Sequence, residues 1–240
     1  MIEIKNLVKN YKDVCAVNNL NLIINDNEIF CLLGTNGAGK TTTIKILTTL
    51  IKPDSGMVEI NKLDILSDAY MIKNIINVSP QETAIAGNLT VLENLEFMAG
   101  VYNIKNKDKK IKELINMFKL ESVLNKRVKQ LSGGYQRKVS IAISLINEPK
   151  ILFLDEPTLG LDVISKHDLW NIIKSLKNKI TIVLTTHYME EAEALADRVG
   201  IMNKGKLIAL GTTKELKLKG NCQNFEGAFI KFIEEDNNDN

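Results

Sequence analysis

The clearest candidate for chemistry is the glycine-rich stretch GTNGAGKT at residues 34–41. Its three glycines let a loop curl so that backbone N–H groups converge on phosphate oxygens without side-chain clashes. Lys40 adds a positive charge for the β- and γ-phosphates, Thr41 offers a hydroxyl to Mg²⁺, and Thr42 can reach the α-phosphate. The spacing GxxxxGK[ST], between an apolar strand and a helical pattern, therefore predicts a nucleoside triphosphate site. The residues predicted to bind this nucleotide are Gly34, Thr35, Asn36, Gly37, Ala38, Gly39, Lys40, Thr41 and Thr42.

Two adjacent carboxylates, Asp155 and Glu156, end the apolar stretch KILFLDEP. Acids beside a buried strand are costly unless something positive requires them. Asp155 is suited to hold Mg²⁺, and Glu156 is suited to polarise the water that attacks the γ-phosphate. The alternative is that both acids merely end the strand before the turn at Pro157, but the phosphate loop favours the catalytic interpretation.

Two polar residues follow other predicted strands: Gln81 after NIINVSP, and His187 at the end of TIVLTTH. Ligands of open α/β sheets bind at the carboxyl ends of the strands. There, Gln81 can coordinate Mg²⁺ through its carbonyl oxygen, and His187 can hydrogen-bond the γ-phosphate. Each alone has an ordinary explanation, a solvated loop side chain or a structural histidine, so both depend on the phosphate loop for their interpretation.

A second candidate for anion binding is LSGGYQRK at residues 131–138, which precedes an apolar-periodic run. A serine can cap the helix, glycines allow close approach of backbone N–H groups, and the helix dipole adds positive charge. One small domain has no evident need of two phosphate sites, so this stretch requires an explanation of its own.

The elements that position these residues follow an α/β pattern. Apolar strands alternate with amphipathic helices, which predicts a mostly parallel sheet. From about residue 90 to 147 the pattern is helical only, which predicts an inserted subdomain. The basic cluster KNKDKKIK at residues 105–112 predicts a solvated helix start, with a membrane-surface or partner role as the alternative. The polar, acidic end at residues 234–240 predicts a disordered tail.

Composition narrows the class of protein. The 240 residues carry 31 Lys+Arg against 29 Asp+Glu, and a net charge of +2 gives no electrostatic case for a nucleic-acid partner. Three cysteines without CxxC spacing, and no secretory leader, predict thiols in a reducing cytoplasm. No window approaches the ~20 apolar residues of a membrane span.

Together these motifs resemble one family, the nucleotide-binding subunits of ATP-binding cassette (ABC) transporters, from Ile2 to about Phe232. GTNGAGKTT is similar to the Walker A motif, although Thr35 stands where proline is common, and ILFLDEP is similar to Walker B. The pairing of Walker A with LSGG in this order is specific to the family. The remaining motifs that resemble it are PQE (Q-loop), LSGGYQRK (signature), TLGLD (D-loop) and TTHYMEEAEALADR (switch histidine).

This resemblance implies a P-loop NTPase (RecA-like) core with an N-terminal antiparallel β subdomain and an inserted α-helical signature subdomain. The nucleotide-binding domain would span residues 1–233, with the helical insertion at about 84–147. Glu156, His187 and Lys40 would be catalytic, and Tyr11 would stack on adenine. Magnesium would be held by Thr41, Gln81 and Asp155.

The resemblance also explains the second phosphate site. In the family two such domains meet head to tail, and each ATP lies between the Walker A motif of one and the signature of the other. D-loop residue Asp162 would lie at the same contact. The signature residues that would bind the partner's ATP are Leu131, Ser132, Gly133, Gly134, Tyr135 and Gln136.

The function implied is that of an ATP-binding and ATP-hydrolysing subunit that powers a membrane exporter of the multidrug or antibiotic type. Its partners would be a second ATPase chain and a separate permease, which would hold it at the inner face of the cell membrane. The segment ETAIAGNLTV (82–91) is a candidate docking surface, or else an ordinary linker. Alternatives are a soluble ABC ATPase of ribosomes, DNA repair or iron–sulfur assembly, and a cassette that no longer hydrolyses. A single cassette without sustained heptads disfavours the first, and intact catalytic residues disfavour the second.

The C-terminal stretch NFEGAFIKF, residues 224–232, is similar to the last motif of those stand-alone exporter subunits. It departs from their acidic-aromatic pattern because Gly227 and Ala228 stand at its centre.

Overall fold

The computed structural model describes residues 1–238, which form two β-sheets, nine α-helices and two short 3-10 helices. The smaller sheet is antiparallel, with strand order β2-β1-β4-β5, and contains most of the N-terminal residues. Its strands are β1 (Ile2–Tyr11), β2 (Val14–Ile24), β4 (Ser55–Ile60) and β5 (Leu63–Asp64).

The larger sheet has the order β10-β9-β3-β8-β7-β6 and is parallel except for β10. Parallel pairing brings the carboxyl ends of β3, β8, β7 and β6 to one edge, with Asp155 opposite Thr185. Its strands are β3 (Ile29–Gly34), β6 (Ile76–Ser79), β7 (Ile151–Asp155), β8 (Thr181–Thr186), β9 (Arg198–Asn203) and β10 (Lys206–Gly211).

Three α-helices lie between β6 and β7 in the chain, where the sequence predicts a helical insertion. The antiparallel sheet, the parallel sheet and this insertion confirm the predicted α/β class. The helices are α1 (Lys40–Leu47), α2 (Ala69–Lys73), α3 (Val91–Val101), α4 (Lys107–Phe118), α5 (Gly133–Ser144), α6 (Val163–Ser175), α7 (Met189–Leu195), α8 (Thr213–Lys219) and α9 (Phe225–Asn238).

The larger sheet is buried on both faces. Side chains alternate along β3, so Cys31 and Leu33 join one hydrophobic cluster, while Phe30 and Leu32 join the other. The first cluster includes the helical insertion, and the second includes the antiparallel sheet and α1. Burial on both faces explains the continuous apolar runs in these strands. The packing also holds the strands whose carboxyl ends carry the predicted site residues.

The predicted disorder from residue 234 onward is not what the structure shows, because α9 continues to Asn238. Asn203, at the end of β9, donates from its side-chain amide to Asp236 Oδ2 (2.9 Å) and Asn237 Oδ1 (3.3 Å). These bonds hold polar residues that composition alone assigns to a tail. Residues 239–240 of that predicted tail lie outside the described residues. Within residues 1–238, no helix combines the length and hydropathy that crossing a bilayer requires.

Candidate nucleotide site

The loop between β3 and α1 can be built only with glycine at two positions. A Cβ on Gly39 would lie 2.2 Å from the Ala16 carbonyl oxygen, and one on Gly34 would lie 2.4 Å from that of Met202. Gly39 also has a φ of +100°, in the left-handed region that favours glycine. The loop therefore curls tightly ahead of α1, as a phosphate cradle at a helix N-terminus requires.

Lys40 points back into this loop. Its Nζ donates to the carbonyl oxygens of Gly34 (2.8 Å) and Thr35 (3.1 Å), and it lies 3.7 Å from Glu156 Oε1. Burial lowers the pKa of Lys40, while Glu156 and Asp155 oppose that shift. The ammonium is thus held by weak neutral acceptors and one carboxylate, and a phosphate would be a stronger partner for it.

Thr41 and Asp155 meet across the sheet edge. The Thr41 hydroxyl donates to Asp155 Oδ1 (3.2 Å), and the hydroxyl of Thr185 donates to the same oxygen. Thr185 lies on β8, between β3, which leads to Thr41, and β7, which carries Asp155. Mg²⁺ prefers oxygen donors, and the Thr41 hydroxyl, the Asp155 carboxylate and the side-chain amide oxygen of Gln81 are of this kind. Gln81 and Thr41 line one cleft.

Glu156 occupies a strained position directly after β7. Its φ is +46°, rare for a residue with a side chain, and its backbone N–H donates to the carbonyl (3.2 Å) and hydroxyl (3.1 Å) oxygens of Thr185. The carboxylate is 9% exposed and lies between Lys40 and His187, whose Nδ1 is 3.0 Å from Oε2. Strain of this kind is kept where surrounding structure enforces it, most often at functional sites.

A cleft of about 540 Å³ lies at this edge of the sheet. The phosphate loop, the start of α1, Gln81, Glu156 and His187 line it, together with Val14 and Ala16 of β2. Tyr11 is not among the lining residues; it is 45% exposed, with Lys9 Nζ 5.7 Å from its ring centroid. Tyr11 pairs across the β1–β2 ladder with Val14, which does line the cleft, so its contact with adenine stays a prediction.

A family model described as "ABC transporter" matches residues 17–159, more than half of the chain. The chain belongs to the ABC transporter family. Human "Phospholipid-transporting ATPase ABCA3" is 42% identical over 91% of the chain, and Escherichia coli K12 "Probable multidrug ABC transporter ATP-binding protein YbhF" is 37% identical over 97%. The chain spans only 13% of the length of ABCA3 and 42% of that of YbhF.

The fold agrees with solved ABC cassettes. A dimeric, post-hydrolysis structure of the ATP-binding cassette MJ0796 bound to ADP and Pi matches with a TM-score of 0.79 and 30% identity. The match covers 88% of this chain and 98% of that cassette. The similarity supports the architecture of an ABC cassette.

In this ABC cassette the signature residues lie away from the cleft that holds the phosphate loop. Ser132 is the N-cap of α5, and its side chain makes no capping hydrogen bond. Ser132 and Gly133 are exposed, whereas Gly134 is buried, and a Cβ there would lie 2.5 Å from Ser165 Oγ. The start of α5 therefore presents a hydroxyl and backbone N–H groups outward, close against α6.

Asp162 of the D-loop has a structural role within the chain. It is the N-cap of α6 and accepts a hydrogen bond from the Ser165 backbone N–H (3.0 Å), which lowers its pKa. Beside it, Val163 and Ile164 are 71% and 77% exposed. An acidic cap next to two exposed apolar side chains is suited to contact with another chain.

Two buried charged residues escaped prediction. Glu191 on α7 is fully buried, and its Oε1 accepts from Thr158 Oγ1 (2.8 Å) and Trp170 Nε1 (3.1 Å). Burial raises the pKa of Glu191 and lowers that of Arg137 on α5 to about 10. In the sequence, the only available signal for each is a charged residue on a helix face that otherwise packs into the core.

Proposed function

We propose that this chain is the ATP-binding and ATP-hydrolysing subunit of a membrane exporter. The observation that carries the proposal is the position of Glu156, between Lys40 and His187 and facing the phosphate loop's cleft. The names of its relatives, a phospholipid transporter and a multidrug transporter, support export as the process that hydrolysis drives.

In this mechanism the phosphate loop and Lys40 bind the triphosphate at the start of α1. Thr41, Asp155 and Gln81 would hold Mg²⁺, which would supply positive charge to the phosphate oxygens. Glu156 accepts a hydrogen bond from the attacking water at its carboxylate and takes its proton, and Lys40 and His187 flank that carboxylate. His187, 27% exposed, is also placed to reach the γ-phosphate from the cleft wall.

A second cassette completes each site. Residues 131–136 do not line the chain's own cleft, which supports their assignment to an ATP held by another chain, with Asp162 at the same contact. ATP then binds the closed pair best and shifts the population toward it, and loss of the γ-phosphate lets the pair part. A homodimer would have two such sites, and a related ATPase could take the partner's place.

A permease partner would bind near the Gln81 loop. The docking segment (residues 82–91) leads from Gln81 into α3, where Phe97 and Val101 are 61% and 56% exposed. Exposed apolar side chains of this size mark interaction surfaces. The partner would hold the cassette at the inner face of the membrane. We place the nucleotide-binding domain at residues 1–233 and its helical insertion at about residues 84–147.

Glu156→Gln tests the catalytic assignment. We expect this variant to bind ATP normally, to lose about 10²–10⁴-fold in turnover, and to accumulate as a closed dimer with ATP. Glu148→Gln is the matched control, because Glu148 also has a positive φ (51°) but lies outside the cleft. Normal hydrolysis by Glu156→Gln would remove Glu156 from its role, and fractionation of the protein with ribosomes would contradict export.

A further inference from the structure

Arg137 is a buried guanidinium that bonds only to backbone oxygens. It lies on α5, is 4% exposed, and has no ion pair within residues 1–238. Nε donates to the Pro157 carbonyl oxygen (2.9 Å), Nη2 to that of Asp155 (2.8 Å), and Nη1 to those of Pro80 and Gln81. The charges of Asp155 and Glu191 oppose part of the burial cost, but no carboxylate bonds to this guanidinium, so its retention calls for an explanation.

The carbonyl groups that Arg137 contacts belong to the catalytic segments. Asp155 and Pro157 stand on either side of Glu156, so two of the bonds bracket the residue with a φ of +46°. Pro80 and Gln81 begin the loop that carries a proposed magnesium ligand. The planar guanidinium has five N–H donors in fixed directions, which lets one side chain hold both segments at once.

Arg137 also belongs to the helix that the signature begins. It lies one turn after Gly133, at the buried side of α5, and a second contact joins the same helix to β6, between Ser140 Oγ and Ser79 Oγ (3.0 Å). The start of α5 is therefore bonded to the Gln81 loop and to the backbone around Glu156.

We propose that Arg137 is a positioning residue that joins the catalytic segments of its own chain to the signature helix that serves the partner's ATP. Through Arg137, a displacement of the Gln81 loop changes the position of both Glu156 and the start of α5. This inference rests on the proposed function, because it assigns Arg137 a role in ATP hydrolysis across two chains.

Arg137→Lys separates this role from simple core stability. Lysine keeps the charge but has one ammonium in place of the fork, so it cannot hold the two segments together. We expect kcat to fall about 10–100-fold, as for a misplacement of about 1 Å at a catalytic group. We expect the dissociation constant for ATP to stay within about 3-fold, because the phosphate loop is untouched. Ser144→Ala is the matched control: Ser144 also lies on α5, is 2% exposed, and donates to a backbone carbonyl oxygen, that of Ile141 (2.7 Å), outside the signature and the catalytic segments.

Amide hydrogen exchange on the full chain provides a readout that does not require hydrolysis. In Arg137→Lys, exchange should rise at residues 81–86 and at 132–136, and it should stay unchanged at both in Ser144→Ala. A kcat within about 2-fold of the unmodified protein, or unchanged exchange in both segments, would overturn the role of Arg137.

If the unmodified protein hydrolyses no ATP, the proposed function fails, and the exchange measurement alone then decides whether Arg137 couples the two segments. Thermal unfolding of each variant shows whether it is folded, and Arg137→Met serves as the second variant if Arg137→Lys is not.

Discussion

Oε2 of Glu156 lies 3.0 Å from Nδ1 of His187, and the two residues follow neighbouring parallel strands. β7 and β8 pair with Asp155 opposite Thr185, so Glu156 and His187 stand one and two residues beyond that pair. No hydrogen bond of good geometry reaches this nitrogen from residues 1–238. The register of two strands thus brings a carboxylate and an imidazole together and leaves both turned toward the cleft.

His187→Ala should separate binding from chemistry. The phosphate loop and Lys40 remain, so ATP affinity should stay within about 3-fold, while turnover should fall at least about 10²-fold because Glu156 loses its neighbour. Steady-state hydrolysis and nucleotide titration measure the two effects. His167→Ala is the control, because His167 on α6 contacts Trp170 (ring centroids 5.0 Å apart) and not the cleft. Full turnover by His187→Ala would exclude His187 from the reaction.

Thr185→Val tests the support of the magnesium ligands. The Thr185 hydroxyl donates to Asp155 Oδ1 and accepts from the Glu156 N–H, so removing it leaves each acid with one fewer hydrogen bond to hold it. Loss of such outer contacts costs about 10–100-fold in metal affinity, and the Mg²⁺ dependence of hydrolysis should shift by that amount. Thr181→Val, at the other end of β8, removes an equally buried hydroxyl that accepts from Asn27. An identical Mg²⁺ dependence in both variants would contradict this account of Thr185.

Ser132→Arg tests the trans role of the signature. Because Ser132 is exposed and outside its own chain's cleft, we expect normal ATP binding and loss of hydrolysis. Mixing this variant with Glu156→Gln should restore part of the activity, since one dimer form then combines an intact cleft with an intact signature. Gln130→Arg, exposed and just outside the signature, should behave like the unmodified protein. Loss of ATP binding in Ser132→Arg would contradict a site shared between chains.

Glu191→Gln should change how stability depends on pH. Burial raises the pKa of Glu191 above its ordinary value of 4.5, so the folded chain binds this proton more tightly than the unfolded chain. The stability that this proton provides is present below pH 4.5 and is lost as pH rises through the folded pKa.

The free energy of unfolding of the unmodified protein, minus that of Glu191→Gln, should therefore decline as pH rises from 4.5 through the folded pKa of Glu191. Each pKa unit contributes about 1.4 kcal/mol to that decline. Denaturant unfolding at several pH values measures it, and Glu190→Gln, an exposed acid 66% accessible at the surface, is the control. A constant difference over this range would contradict a raised pKa.

The parts of the site that sequence predicted are those whose chemistry is local in the chain. Three glycines at fixed spacing predict the phosphate loop. The position of Asp155 and Glu156 directly after an apolar run predicts their role. Thr185 and Arg137 could not be predicted, because their roles depend on hydrogen bonds that form only when distant segments meet. For Arg137 those partners are backbone carbonyl oxygens, which leave no pattern in side-chain types.

In the fold, too, the features that were predicted are local in the chain, and those that were not depend on contacts between distant segments. Alternating apolar strands and helices predicted the sheets and the insertion, because burial on both faces of a parallel sheet imposes long apolar runs. The prediction of disorder was wrong for residues 234–238. The hydrogen bonds that hold them in α9 come from Asn203 on β9, an element distant in the chain. The adenine-stacking role of Tyr11, which the family resemblance implies, stays a prediction: Tyr11 pairs with Val14 at the cleft wall, although its own side chain is not among the lining residues.

The most direct test of the composite site is the ATPase rate per chain as a function of protein concentration. The account predicts a rate per chain that rises with concentration and levels off as dimers form, in parallel with the dimer fraction seen by sedimentation with ATP and Mg²⁺. A preparation that stays monomeric and hydrolyses ATP at the full rate, whatever its concentration, would contradict it.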